Sequence, residues 1–365
     1  MTAPVTQRTP RYMPPLDAWN DAALPPSTTL GGGALLASLV PYAILAPSSH
    51  NTQPWRFTLV GDELLLHADR TRALRVADPQ HRELTISCGA ALGTLRIAAR
   101  AAGRTLDVAR LPDDRDPDLL ARIAVGDRVE VLPRDVALFD AIPRRHTTRT
   151  RYVRAAIAPL VLGDLVERAR EDGATLEFLD EEAPREAFAT LVGEGDRLQA
   201  GDAEFRRELA EWLHPNRTSH RDGMPGYAFG LGSVASTIGP WVMRAVDWGD
   251  AQAARDRDYA LGAPAVAILA APSDAPVDWL RTGEALARVT LAATAHGLRH
   301  AYLNQPMQLP TLRSRATALL RTGGVPQLGL RFGVGTEVLP TPRRPVGEVL
   351  RVVAAPPMRA AGAPS

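Results

Sequence analysis

The chain has 365 residues, more than one hydrophobic core usually organises, so two structural units are expected. Its 42 basic and 41 acidic residues are interspersed and leave a net charge of +1, which provides no broad field for nucleic acid or an anionic membrane surface. The single cysteine, Cys88, excludes an internal disulfide and any multi-cysteine metal or iron-sulfur centre, and its apolar-periodic surroundings predict a buried, inert thiol.

In chain order, residues 1–29 carry no continuous apolar stretch and read as an N-terminal tail. The most apolar run elsewhere, APAVAILAAP at 263–272, is far too short to span a bilayer, so a cytoplasmic protein without membrane contact is expected. Ala46–Phe57, APSSHNTQPWRF, sets six short polar side chains between two prolines just ahead of the strand-like TLV. A stiff loop this rich in hydrogen-bonding groups asks for something to face.

Cys88–Gly103 (CGAALGTLRIAARAAG) and Thr282–Gly297 (TGEALARVTLAATAHG) align with Gly89, Ala91, Leu92, Ala98, Ala99, Ala101 and Gly103 on their counterparts, at a constant offset of 283 − 89 = 194. Both place apolar residues at helical spacing and close on a glycine suited to a left-handed C-cap. Strand-like segments follow each: TLDVARL and ARIAVG after the first, HAYLNQP and QLGLRFGVG after the second. Ala-rich core helices can resemble each other by chance, but two related halves in one chain explain the whole pattern better. The expected division is half 1 at 30–137 and half 2 at 138–350, with a tail at 351–365. Gly- and Pro-punctuated residues 214–250 read as a lid-like insertion in half 2, with one or two short helices.

Two arginine-bearing segments lie in the second half. Ile142–Tyr152, IPRRHTTRTRY, sets Arg144, Arg145, Arg149 and Arg151 among a histidine and three threonines. Such a loop is either a solvated surface or a phosphate site, where guanidinium forks and hydroxyls act together. Leu339–Leu350, LPTPRRPVGEVL, stiffens Arg343 and Arg344 with prolines. No GxGxxG or Walker loop, HExxH pair or GxSxG elbow is present, which removes support for a Rossmann site, a P-loop, that zinc chemistry or a serine hydrolase. A ligand joining a phosphate to a flat ring with an amide-like edge, as FMN does, would use the polar loop and the arginines together.

At this point the residues become recognisable. APSSHNTQPWRF resembles the PSxxNxQPW signature of the FMN-dependent nitroreductase family, RRHTTR its Arg-x-Ser/Thr-x-Arg/Lys phosphate motif, and PTPRRPVGEV its closing arginine-proline segment. In the ordinary family the arginine motif precedes the loop in a chain of about half this size, and two chains pair. Here the loop comes first, which is similar to the Acg-like branch with two fused nitroreductase-like halves. The resemblance implies an α+β pseudo-dimer with one FMN between the halves. It further implies that Arg145, His146, Thr147 and Arg149 hold the phosphate, with Arg343 and Arg344 beside them. Pro47, Ser48, Ser49 and Asn51 would approach the ring from the opposite half, and Gln305 and Pro306 would lie at the reactive ring edge, where they depart from the common Glu-Gly pattern. Gln53 and Trp55 are read as locking the loop and filling core, and His50 as a structural histidine.

The implied activity is transfer of electrons from NAD(P)H through FMN to a nitroaromatic, quinone or similar small-molecule acceptor, in a monomer or homodimer, without metal or nucleic acid. The alternative is a flavin-sequestering protein whose lid denies access.

Overall fold

The computed structural model describes residues 15–22 and 26–354. Two twenty-residue helices, Arg82–Ala101 and Pro276–Ala295, run through its centre. Their bounds keep the offset of the sequence repeat, since 276 − 82 = 194 and 295 − 101 = 194. Each stops just before a left-handed glycine, Gly103 at φ 72° and Gly297 at φ 76°.

The two helices cross where repeat-related glycines meet. A Cβ on Gly89 would lie 2.1 Å from the Leu280 carbonyl oxygen and 3.0 Å from Gly283 Cα, and one on Gly283 would lie 2.0 Å from the Ile86 carbonyl oxygen. Only residues without a side chain let backbones approach this closely. Contact between a residue and its own repeat counterpart is what a two-fold relation between the halves produces. One continuous apolar core, reaching from Leu35 to Phe332, therefore serves both halves, and Cys88 is fully buried inside it with its thiol pushed up by desolvation. Buried Glu284 adds a polar tie across the junction, accepting from Arg110 at 2.7 and 2.9 Å and from Arg96.

The sheets repeat the relation. In the first, the strand order is Leu350–Val353, Trp55–Val60, Glu63–Ala68, Leu119–Arg128, Arg104–Arg110. In the second it is Thr175–Phe178, Ala265–Ala271, Val325–Gly333, Arg299–Tyr302. Two strands precede the central helix and two follow it in each case, and they take the same places. The difference is the extra edge strand Leu350–Val353, which crosses from the end of half 2 and pairs parallel with Trp55–Val60, from Phe57 opposite Leu350 to Val60 opposite Val353. The fold is α+β, with two related halves.

Three details differ from the sequence reading. Residues 351–353 are sheet rather than tail, because the open edge of Trp55–Val60 offers them unpaired backbone groups. Within the expected N-terminal tail, Asp17–Asp21 is helical and Trp19 is only 7% exposed; residues 1–14, 23–25 and 355–365 of the two tails lie outside the described residues. The division at 137/138 falls inside one helix, Pro133–Ala141, which packs on both central helices. Among the described residues no helix is long and apolar enough to cross a membrane.

The 214–250 segment contains a short strand pairing, Leu213–His214 with Met224–Pro225, then a single turn at Gly226–Phe229 and a helix at Ser233–Ala245. Its base is firmly fastened. Asp222 pairs with Arg72, Arg221 with Asp17 at 2.6 Å, and the Tyr227 hydroxyl donates to the Pro340 carbonyl at 2.8 Å.

Candidate functional site

A cavity of about 780 Å³ opens between the halves. Of the residues singled out in the sequence, Pro47, Ser48, Ser49 and Asn51 reach it from half 1, while Arg145, His146, Thr147, Arg149, Gln305 and Arg343 reach it from half 2. Arg344 and Pro306 do not line it. Arg344 points away from it, and its guanidinium donates to the Gln53 carbonyl of half 1 at 3.2 Å and to the nearby Glu348 carbonyl at 3.1 Å. Pro306 is buried beside Gly195, a packing position at the start of a short turn of helix.

The cationic end of the cavity is built by three guanidinium groups that form no ion pair among the described residues. Arg145, 3% exposed, donates to the Leu45 carbonyl at 3.1 Å and leaves its Nη1 buried without a partner. Arg343 donates to Asn51 Oδ1 at 2.8 Å and Thr341 Oγ1 at 2.7 Å, stacks 5.1 Å from the Trp19 ring, and leaves its Nε unpartnered. Arg149 lies 4.9 Å over the Phe229 ring, with a weak 3.6 Å contact to Met224 Sδ.

Desolvation, reinforced by the Arg145 charge, pulls Arg343 down to about 9; burial, with a smaller push from Arg331, takes Arg149 to about 10. Arg145 is lowered by burial as well. The Tyr302 hydroxyl faces the same cavity, buried and unpartnered. Buried cations without counter-charge are costly, and an anion bearing several oxygens would satisfy all these donors at once. The donor set therefore fits a phosphate group. Its neighbours are kept neutral: burial and then Arg149 hold His50 at about 4, and burial with Arg145, Arg343 and Arg299 holds His146 at about 3.

The 46–57 loop explains its polar side chains differently from the sequence expectation. His50, Asn51 and Gln53 have φ of 48°, 57° and 53°, a left-handed conformation that costs non-glycine residues energy. The side chains hold that backbone in place. The Ser48 hydroxyl accepts from Gln53 N at 2.9 Å, and Gln53 donates to the Asn51 and Arg221 carbonyls at 3.3 and 2.8 Å while accepting from Arg344 N at 2.8 Å. Asn51 donates to the Gly223 and Pro342 carbonyls at 2.9 and 3.0 Å and accepts from Arg343. Ser49 donates to Glu83 at 2.6 Å. The side chains of Ser49, Asn51 and Gln53 bond within the protein and tie half 1 to the insertion and to the Arg343 segment, while Ser48, Ser49, His50 and Asn51 also line the cavity. Gln53 and Trp55 are fully buried.

Sequence reasoning missed Trp19, Glu83, Tyr302, Asp196 and Asp256. Tyr302 had a signal, standing two residues ahead of Asn304 in a segment already singled out, and Glu83 opens the first repeated helix. The two aspartates had none, because they sit on helices whose residues otherwise read as ordinary surface and core.

No family model matches the chain. Comparison with curated proteins finds "Putative NAD(P)H nitroreductase Rv3131" of Mycobacterium tuberculosis, 32% identical over 319 residues that span 84% of this chain and 88% of that protein. "Putative NAD(P)H nitroreductase acg" of the same organism is 31% identical over 324 residues, 87% of this chain and 96% of the relative. Among solved structures, the FMN and NADPH-dependent nitroreductase NfnB from Sphigopyxis sp. strain HMH covers 58% of this chain and 96% of its own, at 18% identity and a TM-score of 0.39. With relatives this similar along nearly their whole length, the chain belongs to the NAD(P)H nitroreductase family, in its Acg-like branch.

Proposed function

We propose that the protein binds one FMN per chain in the cavity between its halves and works as an NAD(P)H-dependent reductase of a nitroaromatic, quinone or similar small acceptor. The observation that carries this reading is the convergence of Arg145, Arg149 and Arg343, without acidic partners, on a cavity that also holds the unpartnered Tyr302 hydroxyl. Those four residues would hold the phosphate, with His146 and Thr147 beside them. Bound FMN supplies two-electron chemistry between a nicotinamide and an acceptor. The family names of the relatives support a nicotinamide donor.

The chain's own residues orient and enclose. The strained 46–53 loop fixes one wall through its bonds to Gly223, Pro342 and Arg343. The helix Ser233–Ala245 borders the cavity with Ala235, Ile238 and Val242, and Ile238 and Val242 stay exposed there, as do Val234 and Trp241. We read it as a lid on an anchored base. Anaerobic mixing with NADPH or NADH tests the function: flavin absorbance should bleach, and a quinone or nitro compound should restore it.

The lid also favours a second reading, flavin storage, in which it stays shut. In that case the intact protein resists reduction, and deletion of 225–240 switches reduction on. Failure of both forms to be reduced overturns the reductase reading. The purified protein should carry FMN at one per chain and bind it far better than riboflavin; a ratio near two contradicts the single-site assignment.

A further inference from the structure

The cavity also has acidic lining residues. The helices Glu182–Gly201 and Gly249–Gly262 pack side by side with Gly193 against Ala253, which brings Asp196 and Asp256 together. One amide bridges them: Gln305 Nε2 donates to Asp196 Oδ1 at 3.1 Å and to Asp256 Oδ2 at 2.8 Å. Gly195 permits this, since a Cβ there would fall 2.7 Å from Gln305 Cβ.

Asp196 is 2% exposed, and its Oδ2 is buried with no partner; Gln305 Oε1 is also unpartnered. All three residues line the cavity that holds the arginines. Three arginines favour the ionised carboxylates: Arg197 and Arg255 act on Asp196, and Arg255 and Arg331 act on Asp256. Arg197 pairs with Asp250 at 2.7 Å, Arg255 stands 4.0 Å from Asp256, and Gln252 donates to Asp256 at 2.8 Å. Arg331 is held between the Tyr152 and Tyr259 rings and donates to the Thr148 and Thr150 carbonyls at 3.2 and 3.0 Å.

Two carboxyl groups sharing one amide donor in a buried place cannot both ionise cheaply, so the pair retains a proton. Burial, and then the Asp256 charge, push Asp196 up to about 8, and burial raises Asp256. Asp196 lines the cavity and its Oδ2 is bonded to no described group, so the proton it carries is not tied to a protein acceptor.

We propose that Asp196, coupled to Asp256 through Gln305, is the acid that protonates the acceptor's oxygen during its reduction. The inference rests on the reductase reading above. Reduction of a quinone to a hydroquinone takes two electrons and two protons. A hydride carries both electrons and one proton to the acceptor, and the second proton leaves Asp196: its O–H bond breaks as an O–H bond forms on the acceptor oxygen. The pair then holds two negative charges and regains a proton from water when the lid opens. Asp196 and Asp256 are separate from the three arginines and lie on two helices of their own, so cofactor anchoring and proton delivery use separate groups.

Infrared difference spectroscopy of the intact protein provides a test that needs no turnover. A protonated-carboxyl band should persist at neutral pH, titrate near pH 8, and vanish in Asp196→Asn. The second readout is stopped-flow oxidation of dithionite-reduced protein by 1,4-naphthoquinone at saturating FMN. The wild-type rate should fall as pH rises through about 8, while Asp196→Asn is about a hundredfold slower and insensitive to pH. Asp256→Asn removes the charged neighbour that helps Asp196 hold its proton, so it should move the pH edge downward and slow the reaction at neutral pH.

An unchanged rate and profile in Asp196→Asn, or the absence of an Asp196 band, overturns the proposal. If NADPH fails to reduce the wild type but dithionite-reduced protein shows the Asp196-dependent profile, the acid stands and the nicotinamide reading falls. If reduced protein gives no electrons to the quinone even with 225–240 deleted, both fall.

Discussion

Replacing Arg145 with methionine separates a ligand-binding cation from a structural one. In the flavin-free protein this guanidinium is buried, leaves Nη1 unpartnered, and lies close enough to Arg343 to depress its pKa. Its one hydrogen bond, to the Leu45 carbonyl, is backed up by Arg343 Nη2 at 3.3 Å, so Leu45 keeps a partner when Arg145 is gone. Removing an uncompensated buried charge while preserving volume should leave the flavin-free protein as stable as wild type or more so.

FMN binding should respond in the opposite direction. Loss of a charge-assisted bond to phosphate, about 1.5–3 kcal/mol, weakens affinity roughly ten- to a hundredfold. Thermal melts with and without FMN read the first effect, and titration of flavin fluorescence reads the second. The ligand-induced rise in melting temperature should shrink with the affinity. If Arg145→Met destabilises the flavin-free protein as much as it weakens binding, or leaves FMN affinity unchanged, Arg145 is a structural residue and the phosphate assignment is wrong.

Other substitutions probe the frame around the site. Gly89→Ala puts a methyl group 2.1 Å from a backbone oxygen of the facing helix and should cost at least about 3 kcal/mol in urea unfolding, whereas Gly163→Ala, in a helix with nothing within 4 Å, should stabilise by about 0.5–1 kcal/mol. Asn51→Ala removes three buried hydrogen bonds and should cost roughly 2–4 kcal/mol while making the 214–250 segment easier to cleave with protease. Wild-type stability with lost FMN affinity would instead mean that Asn51 faces the ring.

The pH response follows from the neutral histidines. His50 and His146 bind protons in the unfolded chain near 6.5 but in the folded one only near 4 and 3, so the unfolded state takes up more protons across that window. Stability should be fully present above about pH 6.5 and fall steadily as pH drops toward 4, with His50→Gln flattening part of the decline in melting temperature. A melting temperature independent of pH between 6.5 and 4 contradicts the buried, neutral assignment.

The legible parts of this protein were those written in local spacing. Apolar periodicity and closing glycines marked both central helices, and their fixed offset of 194 survived into the fold because the same helix-crossing geometry is used on both sides of the pseudo-axis. The arginine segments and the polar loop were visible because stiff, polar runs are unusual in a folded chain. Tertiary structure decided what those groups touch. Asn51 and Arg343 meet across 292 residues, and that contact helps hold the loop's left-handed backbone in place. The exchange of Leu350–Val353, the burial of Trp19 over the arginines and the meeting of Asp196 with Asp256 depend on which surfaces the packed halves bring within hydrogen-bond range. A hydrogen bond acts over about 3 Å, and residue spacing along a sequence carries no distance between segments until the core has set it.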